Sequence, residues 1–148
     1  MVLALRTLRK EDGDLVRDFL QRSIAEGESG IAYAIADVYG NIIASDKIGS
    51  VQCGAIDIAR LRAVASIVFK KNTGDIKTTI TGSKDVDDIY SGGGVLVIAN
   101  GAICGSIGIA GRPTPEKKFP GKLPWDSEIA FQTSEYLKGK LNLEEFLN

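Results

Sequence analysis

The 148-residue chain has 44% hydrophobic and 25% charged residues, a composition typical of a single globular domain with a substantial core. Its net charge of −1 gives no reason to expect nucleic acid or an anionic membrane as a partner. No apolar run reaches the roughly 18 residues that span a bilayer, and the N-terminal segment lacks the features of a signal peptide, so we expect a cytoplasmic protein. The absence of histidine removes the commonest metal ligand and acid–base catalyst, so we expect no metal site.

The first third of the chain predicts one helix and a pair of strands. Apolar residues at helical spacing indicate a helix over about Lys10–Glu26. Two β-rich runs follow, Ile31–Asp37 and Ile42–Asp46, with a tight turn between them. The first strand alternates small and large residues, so one of its faces consists of alanine alone: Ala32, Ala34 and Ala36. We expect a helix to pack closely on this small face.

A loop, Ile48–Ala55, leads into a second predicted helix over about Asp57–Lys70. Its apolar residues fall on one arc of about 140°, the pattern of an amphipathic helix. These residues are Ile58, Leu61, Val64, Ala65, Val68 and Phe69. Arg60 and Arg62 lie on opposite flanks of the arc. Either both are solvated, or one of them binds an anionic ligand through two parallel hydrogen bonds.

The glycine-rich stretch 91–111 predicts a hairpin. Asn100-Gly101 fits a two-residue type I′ turn, in which both central residues need positive φ. The turn joins strands Val95–Ala99 and Ala102–Ala110. In the second strand, alternation places Ile103, Ile107, Ile109 and Gly105 on one face, and Ala102, Cys104, Ser106, Gly108 and Ala110 on the other. The second face leaves room for a helix, a ligand or another backbone, and close helix packing is the favoured interpretation.

The last part of the chain predicts a loop and a helix. Three prolines in Gly111–Leu123 indicate an ordered surface loop or a flap. A helix then begins at Asp126 or Ser127 and is expected to end at Gly139. Asn142, with a glutamate three residues later, predicts a capping box for one final turn. The tail also carries Leu143, Phe146 and Leu147, whose burial on a neighbouring subunit would make the protein a homo-oligomer.

Several of these segments resemble the haem-degrading and haem-binding GlcG-like family, which includes the C-terminal domain of PduO. The most specific are Gly93-Gly94, Asn100-Gly101 and Gly105-Ser-Ile-Gly108-Ile-Ala-Gly111; the weaker ones are Asp37-Val-Tyr-Gly40, Ile56-Asp-Ile-Ala59 and Asp126-Ser-Glu-Ile-Ala130. The resemblance covers about residues 8 to 138. It implies an α/β (α+β) fold, with one antiparallel sheet of about five strands and helices packed on it. Residues 1–148 then form a single GlcG-like domain, and the resemblance also implies a multimer.

If this fold is right, four pieces of the chain converge on one site. They are the loop Ile48–Ala55, the triple glycine, the start of the helix at Asp57 and the segment around Arg112. A helix N-terminus and an accessible glycine backbone together suit a carboxylate or an enolate. The candidate catalytic residues are Cys53, Asp57 and Arg62, and the candidate ligand-binding residues are Gly92, Gly93, Gly94, Arg60, Arg112 and Tyr90. As alternatives, Cys53 is a small buried hydrophobe and Asp57 serves the helix start.

Three classes of function remain open. The first is a small-molecule pocket protein that binds a small organic acid or an aromatic compound, either as a binding protein or as a cofactor-free enzyme. The second, implied by the resemblance, is a protein that binds or degrades haem or a corrinoid. The third is an accessory subunit of a larger enzyme. Haem iron takes His, Cys, Met or Tyr as axial ligand, which leaves Cys53, Tyr39 and Tyr90 near the site. A metal-free organic ligand is therefore favoured over haem.

Overall fold

The computed structural model describes residues 7–23, 30–73, 93–111 and 126–147, with side chains as far as Leu141 in the last range. The elements in chain order are α1 (Lys10–Ser23), β1 (Ile31–Asp37), β2 (Ile42–Ile48), α2 (Ala55–Phe69), β3 (Gly94–Ala99), β4 (Ala102–Ala110) and α3 (Asp126–Leu147). The strands form one antiparallel sheet in the order β2-β1-β4-β3. The predicted α+β class is thus confirmed, but the described residues form four strands rather than five. None of their helices is long and apolar enough to cross a membrane.

The two faces of the sheet carry different layers, as the alternation in β1 predicts. Ile31, Tyr33 and Ile35 point into a core of large side chains beneath α1 and α3. The alanines Ala32, Ala34 and Ala36 point to the other face, where they pack with Ala55, Ala59 and Ala63 of α2. The described elements therefore form three layers, and α2 is the one helix among them on the small-residue side.

The contact between α2 and β4 is very close because the facing residues have almost no side chain. A Cβ atom on Gly108 would lie 1.9 Å from the carbonyl oxygen of Ala59 and 2.8 Å from the nitrogen of Ala63. Beside it, the buried Ser106 hydroxyl donates a hydrogen bond to the Ala63 carbonyl oxygen at 2.5 Å. The small face of β4 thus holds a helix, as the favoured interpretation states.

A β-bulge changes the predicted faces of β4. Val97 pairs with Gly105, but Ile98 pairs with Ile103, so Cys104 has no opposite residue on β3. An extra residue shifts the side-chain alternation on one side of the bulge. Cys104 is consequently buried in the core of large side chains with Ile107, and its predicted position on the small face is wrong.

The apolar arc of α2 points away from the sheet. Leu61, Val68 and Phe69 are 50%, 65% and 42% exposed, whereas Ala59 and Ala63 are fully buried against the strands. Both sides of the helix are low in polarity, so the position of the largest apolar residues does not identify the face that packs on the sheet.

The last helix is longer than predicted. It continues through Gly139 to Leu147, so the expected end at Gly139 and the separate capped turn at Asn142 are both wrong. Glycine within a helix costs about 1 kcal/mol relative to alanine, which burial of neighbouring side chains can offset. Leu137 and Leu141 are 0% and 2% exposed and supply that burial. The side chains of the apolar tail, on which the predicted subunit contact depends, lie outside the described residues.

Two glycine substitutions test the packing of α2 on the sheet. We expect Gly108→Val to lower the free energy of unfolding by about 3 kcal/mol, because the new side chain overlaps the backbone of α2. The control is Gly139→Ala, whose Cβ would meet no atom within 4 Å. It should raise the free energy of unfolding by about 0.5–1 kcal/mol. Urea denaturation measures both, and a Gly108→Val protein of wild-type stability would contradict the close contact.

Candidate functional site

Six of the nine predicted site residues are described, and all six lie on or beside α2. They are Cys53, Asp57, Arg60, Arg62, Gly93 and Gly94. The other three, Tyr90, Gly92 and Arg112, lie outside the described residues. The six form two groups, one exposed at the start of α2 and one buried between α2 and the sheet.

The exposed group surrounds a helix start that has no side-chain cap. Gly54 is the N-cap residue, with a φ of 87°, and because it has no side chain it makes no capping hydrogen bond to the first turn. Cys53 is exposed, so the alternative of a buried hydrophobe is wrong for this residue. Asp57 and Arg60 are also exposed, and their spacing of three places them side by side on the helix surface. This end of α2 therefore presents a thiol, a carboxylate and a guanidinium to solvent, beside the positive end of the helix dipole.

The buried group centres on Arg62, which is only 5% exposed. Its Nη1 donates to the carbonyl oxygen of Ile109 at 2.5 Å and to Oδ2 of Asp126 at 2.9 Å. The alternative in which Arg62 is solvated is therefore wrong. The anion that this guanidinium contacts is a carboxylate of the same chain, and the ion pair connects α2 with β4 and the first residue of α3.

Gly93 and Gly94 allow the start of β3 to approach the Arg62 side chain and α2. Gly93 has a φ of 93°, and a Cβ there would lie 2.7 Å from Nη1 of Arg62 and 2.5 Å from the carbonyl oxygen of Ile109. A Cβ on Gly94 would lie 2.4 Å from Cγ2 of Thr73 and 2.8 Å from Oγ of Ser66. The atoms nearest to these two glycines thus belong to the protein, and a role in ligand binding stays a prediction.

Sequence reasoning missed three members of the buried group. Asp126 was expected to begin the last helix, and neither Thr73 nor Ser66 was among the candidate site residues. In the structure the Thr73 hydroxyl accepts a hydrogen bond from the Gly94 N–H at 2.9 Å. Ser66 is fully buried, and its hydroxyl has no hydrogen-bond partner in the described part of the chain. One signal was present: Arg62 and Ser66 share a helix face with Ala59 and Ala63, opposite the apolar arc.

A separate surface hollow lies between α1 and α3, on the other side of the sheet. It has a volume of about 270 Å³ and is lined by Asp18, Gln21, Arg22 and Tyr136. The Tyr136 ring stacks on Phe19 with a centroid distance of 4.7 Å, and the Arg22 guanidinium carbon lies 5.7 Å from the Tyr136 centroid. These contacts join the two helices, and none of the six described site residues lines the hollow.

Comparison with known proteins identifies the family. The family model described as haem degrading protein HbpS-like matches residues 9–117, which is well over half of the chain. The chain therefore belongs to the HbpS-like haem-degrading family, and the resemblance deduced from the glycine hairpin is confirmed. No curated protein sequence matches the chain.

Three solved structures share this fold. Protein ORFY of Klebsiella pneumoniae superposes with a TM-score of 0.71 at 17% identity, covering 91% of this chain and 93% of that one. A complex of PduOC with haem gives 0.67 at 16% identity, with 88% and 94% covered. A double mutant of HbpS from Streptomyces reticuli gives 0.64 at 17% identity, with 95% and 90% covered. Identities this low establish a common fold and nothing finer.

The buried ion pair gives a test of the site's architecture. We expect Asp126→Ala to lower the free energy of unfolding by about 3 kcal/mol, because it removes the carboxylate that lies 2.9 Å from the buried Arg62 guanidinium. Asp57→Ala removes an exposed carboxylate and should change stability by less than about 0.5 kcal/mol. The double variant Arg62→Met with Asp126→Leu should lose much less than the sum of its single changes. Equal stability of Asp126→Ala and the wild type would show that the pair does not hold α3 to α2.

Proposed function

We propose that this protein binds a small organic acid, aliphatic or aromatic, at the exposed end of α2. The observation that carries the proposal is the position of Arg60, an exposed guanidinium beside an uncapped helix N-terminus. Within the described ranges Arg60 has no carboxylate partner, in contrast to the buried Arg62. Two nearby arginines thus have different environments, and the exposed one is available to an external anion.

The chemistry of the exposed group is consistent with a carboxylate ligand. A guanidinium binds a carboxylate through two parallel hydrogen bonds, and backbone N–H groups at a helix start favour a negative charge. Cys53 adds a nucleophile and Asp57 a proton acceptor next to this position, which are the groups that a cofactor-free enzyme needs. In this proposal Arg62 acts as a positioning residue, because its hydrogen bonds to Ile109 and Asp126 fix α2 relative to the sheet.

Haem is a second candidate, favoured by the family's description and by the haem complex of PduOC. The cysteines and tyrosines of the described residues offer haem iron no clear axial ligand; Tyr136, for example, stacks on Phe19 and its hydroxyl accepts a hydrogen bond from Arg22. The sequence has no histidine, and Cys104 and Tyr33 are buried in the core of large side chains. Cys53 and Tyr39 are exposed, but the Cys53 thiol has no hydrogen-bond partner among the described residues to orient it. A metal-free organic acid is therefore the first candidate ligand and haem the second.

Titration with salicylate, an aromatic carboxylate, tests the first candidate. We expect the wild type to bind salicylate and Arg60→Glu to weaken binding at least tenfold, because the guanidinium is replaced by a like charge. Lys10→Glu is the control. It makes the same charge change at an exposed position on α1, on the opposite side of the sheet, and should leave the affinity within twofold. Isothermal titration calorimetry measures all three, and equal affinities for Arg60→Glu and the control would refute the assignment of Arg60.

A haem titration read by absorbance separates the second candidate from the first. If the ligand of this protein is a metal-free organic acid, we expect haem to form no tight one-to-one complex with the wild type. A tight complex that is lost on Cys53→Ala would establish haem ligation by this thiol and overturn our ranking. A tight complex that survives Cys53→Ala would overturn the ranking too, and would exclude Cys53 as the iron ligand.

A further inference from the structure

The outward face of α2 carries three of the six exposed large hydrophobic side chains in the described part of the chain. Leu61, Val64 and Val68 follow one another at spacings of three and four residues, which is the repeat of a helix–helix seam, and Ala65, the next residue on this side, is only 9% exposed. Phe69 extends the seam at its C-terminal end. Leu61, Val68 and Phe69 are 50%, 65% and 42% exposed, although the opposite face of the helix is already buried on the sheet. A helix that is apolar on both sides is typical of one buried between two layers.

We propose that this face packs against the same face of a second copy of the chain, with the two helices antiparallel. The two-fold axis passes between Val64 and Ala65. Leu61 then lies opposite Val68 of the partner subunit, and the small, already buried side chain of Ala65 does not hinder close approach at the axis. In an isologous contact of this kind both subunits use the same face, so the exposed side chains of the seam are buried on both subunits at once. The proposal does not depend on the identity of the ligand.

The charges at the two ends of α2 favour a second copy in this orientation. Asp57 lies in the first turn on the outward side, whereas Lys70 and Lys71 follow the last turn, and all three are exposed. An antiparallel pair places each carboxylate near the lysines of the other helix and pairs the helix dipoles favourably. A parallel pair would bring the two Asp57 carboxylates together. The face is thus complementary to itself only when the helices run in opposite directions.

Light scattering of surface variants tests the contact. The wild type should have at least twice the monomer mass of 15.8 kDa, and Val68→Asp should have half the wild-type mass or less at the same concentration. We expect its dissociation constant to rise at least 100-fold, because a carboxylate is placed in an apolar seam. The matched control is Phe131→Asp on α3, a position that is 55% exposed, and its mass should equal that of the wild type.

Three outcomes of this experiment would overturn the proposal. One is a wild type that stays monomeric at 100 µM, which would mean that something other than a second copy covers the face. Another is a Val68→Asp protein that keeps the wild-type mass. The third is loss of association in both Val68→Asp and Phe131→Asp, since the contact would then not be specific to α2. Circular dichroism must show that both variants are folded.

Disulfide cross-linking tests the direction of the helices. Leu61→Cys and Val68→Cys are each made in a Cys53→Ser background and oxidised alone or as a mixture. In the antiparallel arrangement the mixture should give a covalent dimer. Each variant alone should give little, because equivalent residues are separated by about 10 Å along the axis. A disulfide requires Cα atoms within about 7 Å. Stronger cross-linking of the single variants than of the mixture would overturn the antiparallel arrangement.

Reversal of the charges provides an independent check. Asp57→Lys should raise the dissociation constant of the dimer at least threefold at low salt. The introduced ammonium group would then lie near Lys70 and Lys71 of the partner subunit and repel them. Combining Asp57→Lys with Lys70→Glu and Lys71→Glu should restore the wild-type value, since the exchanged charges are again complementary across the axis. Failure of the triple variant to recover would refute the pairing of the two helix ends.

Discussion

The backbone of β4 passes so close to α2 that a side chain at Gly108 would overlap the Ala59 carbonyl, and most of the site depends on this contact. It brings α2 down onto β1 and β4 through alanine, glycine and serine alone. Little apolar area is gained per residue on this face, compared with the core under α1 and α3. What the contact provides is a fixed distance, because backbone atoms meet backbone atoms and no flexible side chain can adjust between them.

That fixed distance explains why Arg62 is buried. From a helix so near the sheet, its guanidinium reaches the Ile109 carbonyl and the Asp126 carboxylate together. Gly93 and Gly94 lack side chains at the positions where a Cβ would overlap Arg62, Ser66 and Thr73. A buried ion pair is weak evidence for net stability, but removal of one partner is costly, so the pair acts chiefly to specify where α3 begins.

The same geometry separates the two sides of α2. The side of α2 that faces the sheet is closely packed against the strands. The exposed residues at the start of α2 are therefore held on a rigid helix rather than on a loop alone. Its outer side keeps Leu61 and Val68 in solvent. A ligand site at one end and a subunit contact along the outer face can therefore coexist, and association of two copies would place two such sites on one assembly.

The sequence by itself determined the features that depend on neighbouring residues. Asn100-Gly101 specified the hairpin, alternation in β1 specified its two faces, and the hairpin glycines identified the family. Tertiary structure alone decided the features that depend on distant residues. The carboxylate that pairs with Arg62 lies 64 positions away along the chain. The bulge at Cys104 is set by pairing with β3, and Gly139 stays helical because Leu137 and Leu141 are buried. The face of α2 that meets the sheet was also undetermined, because hydropathy marks the larger apolar residues, whereas close packing of backbones selects the smaller ones.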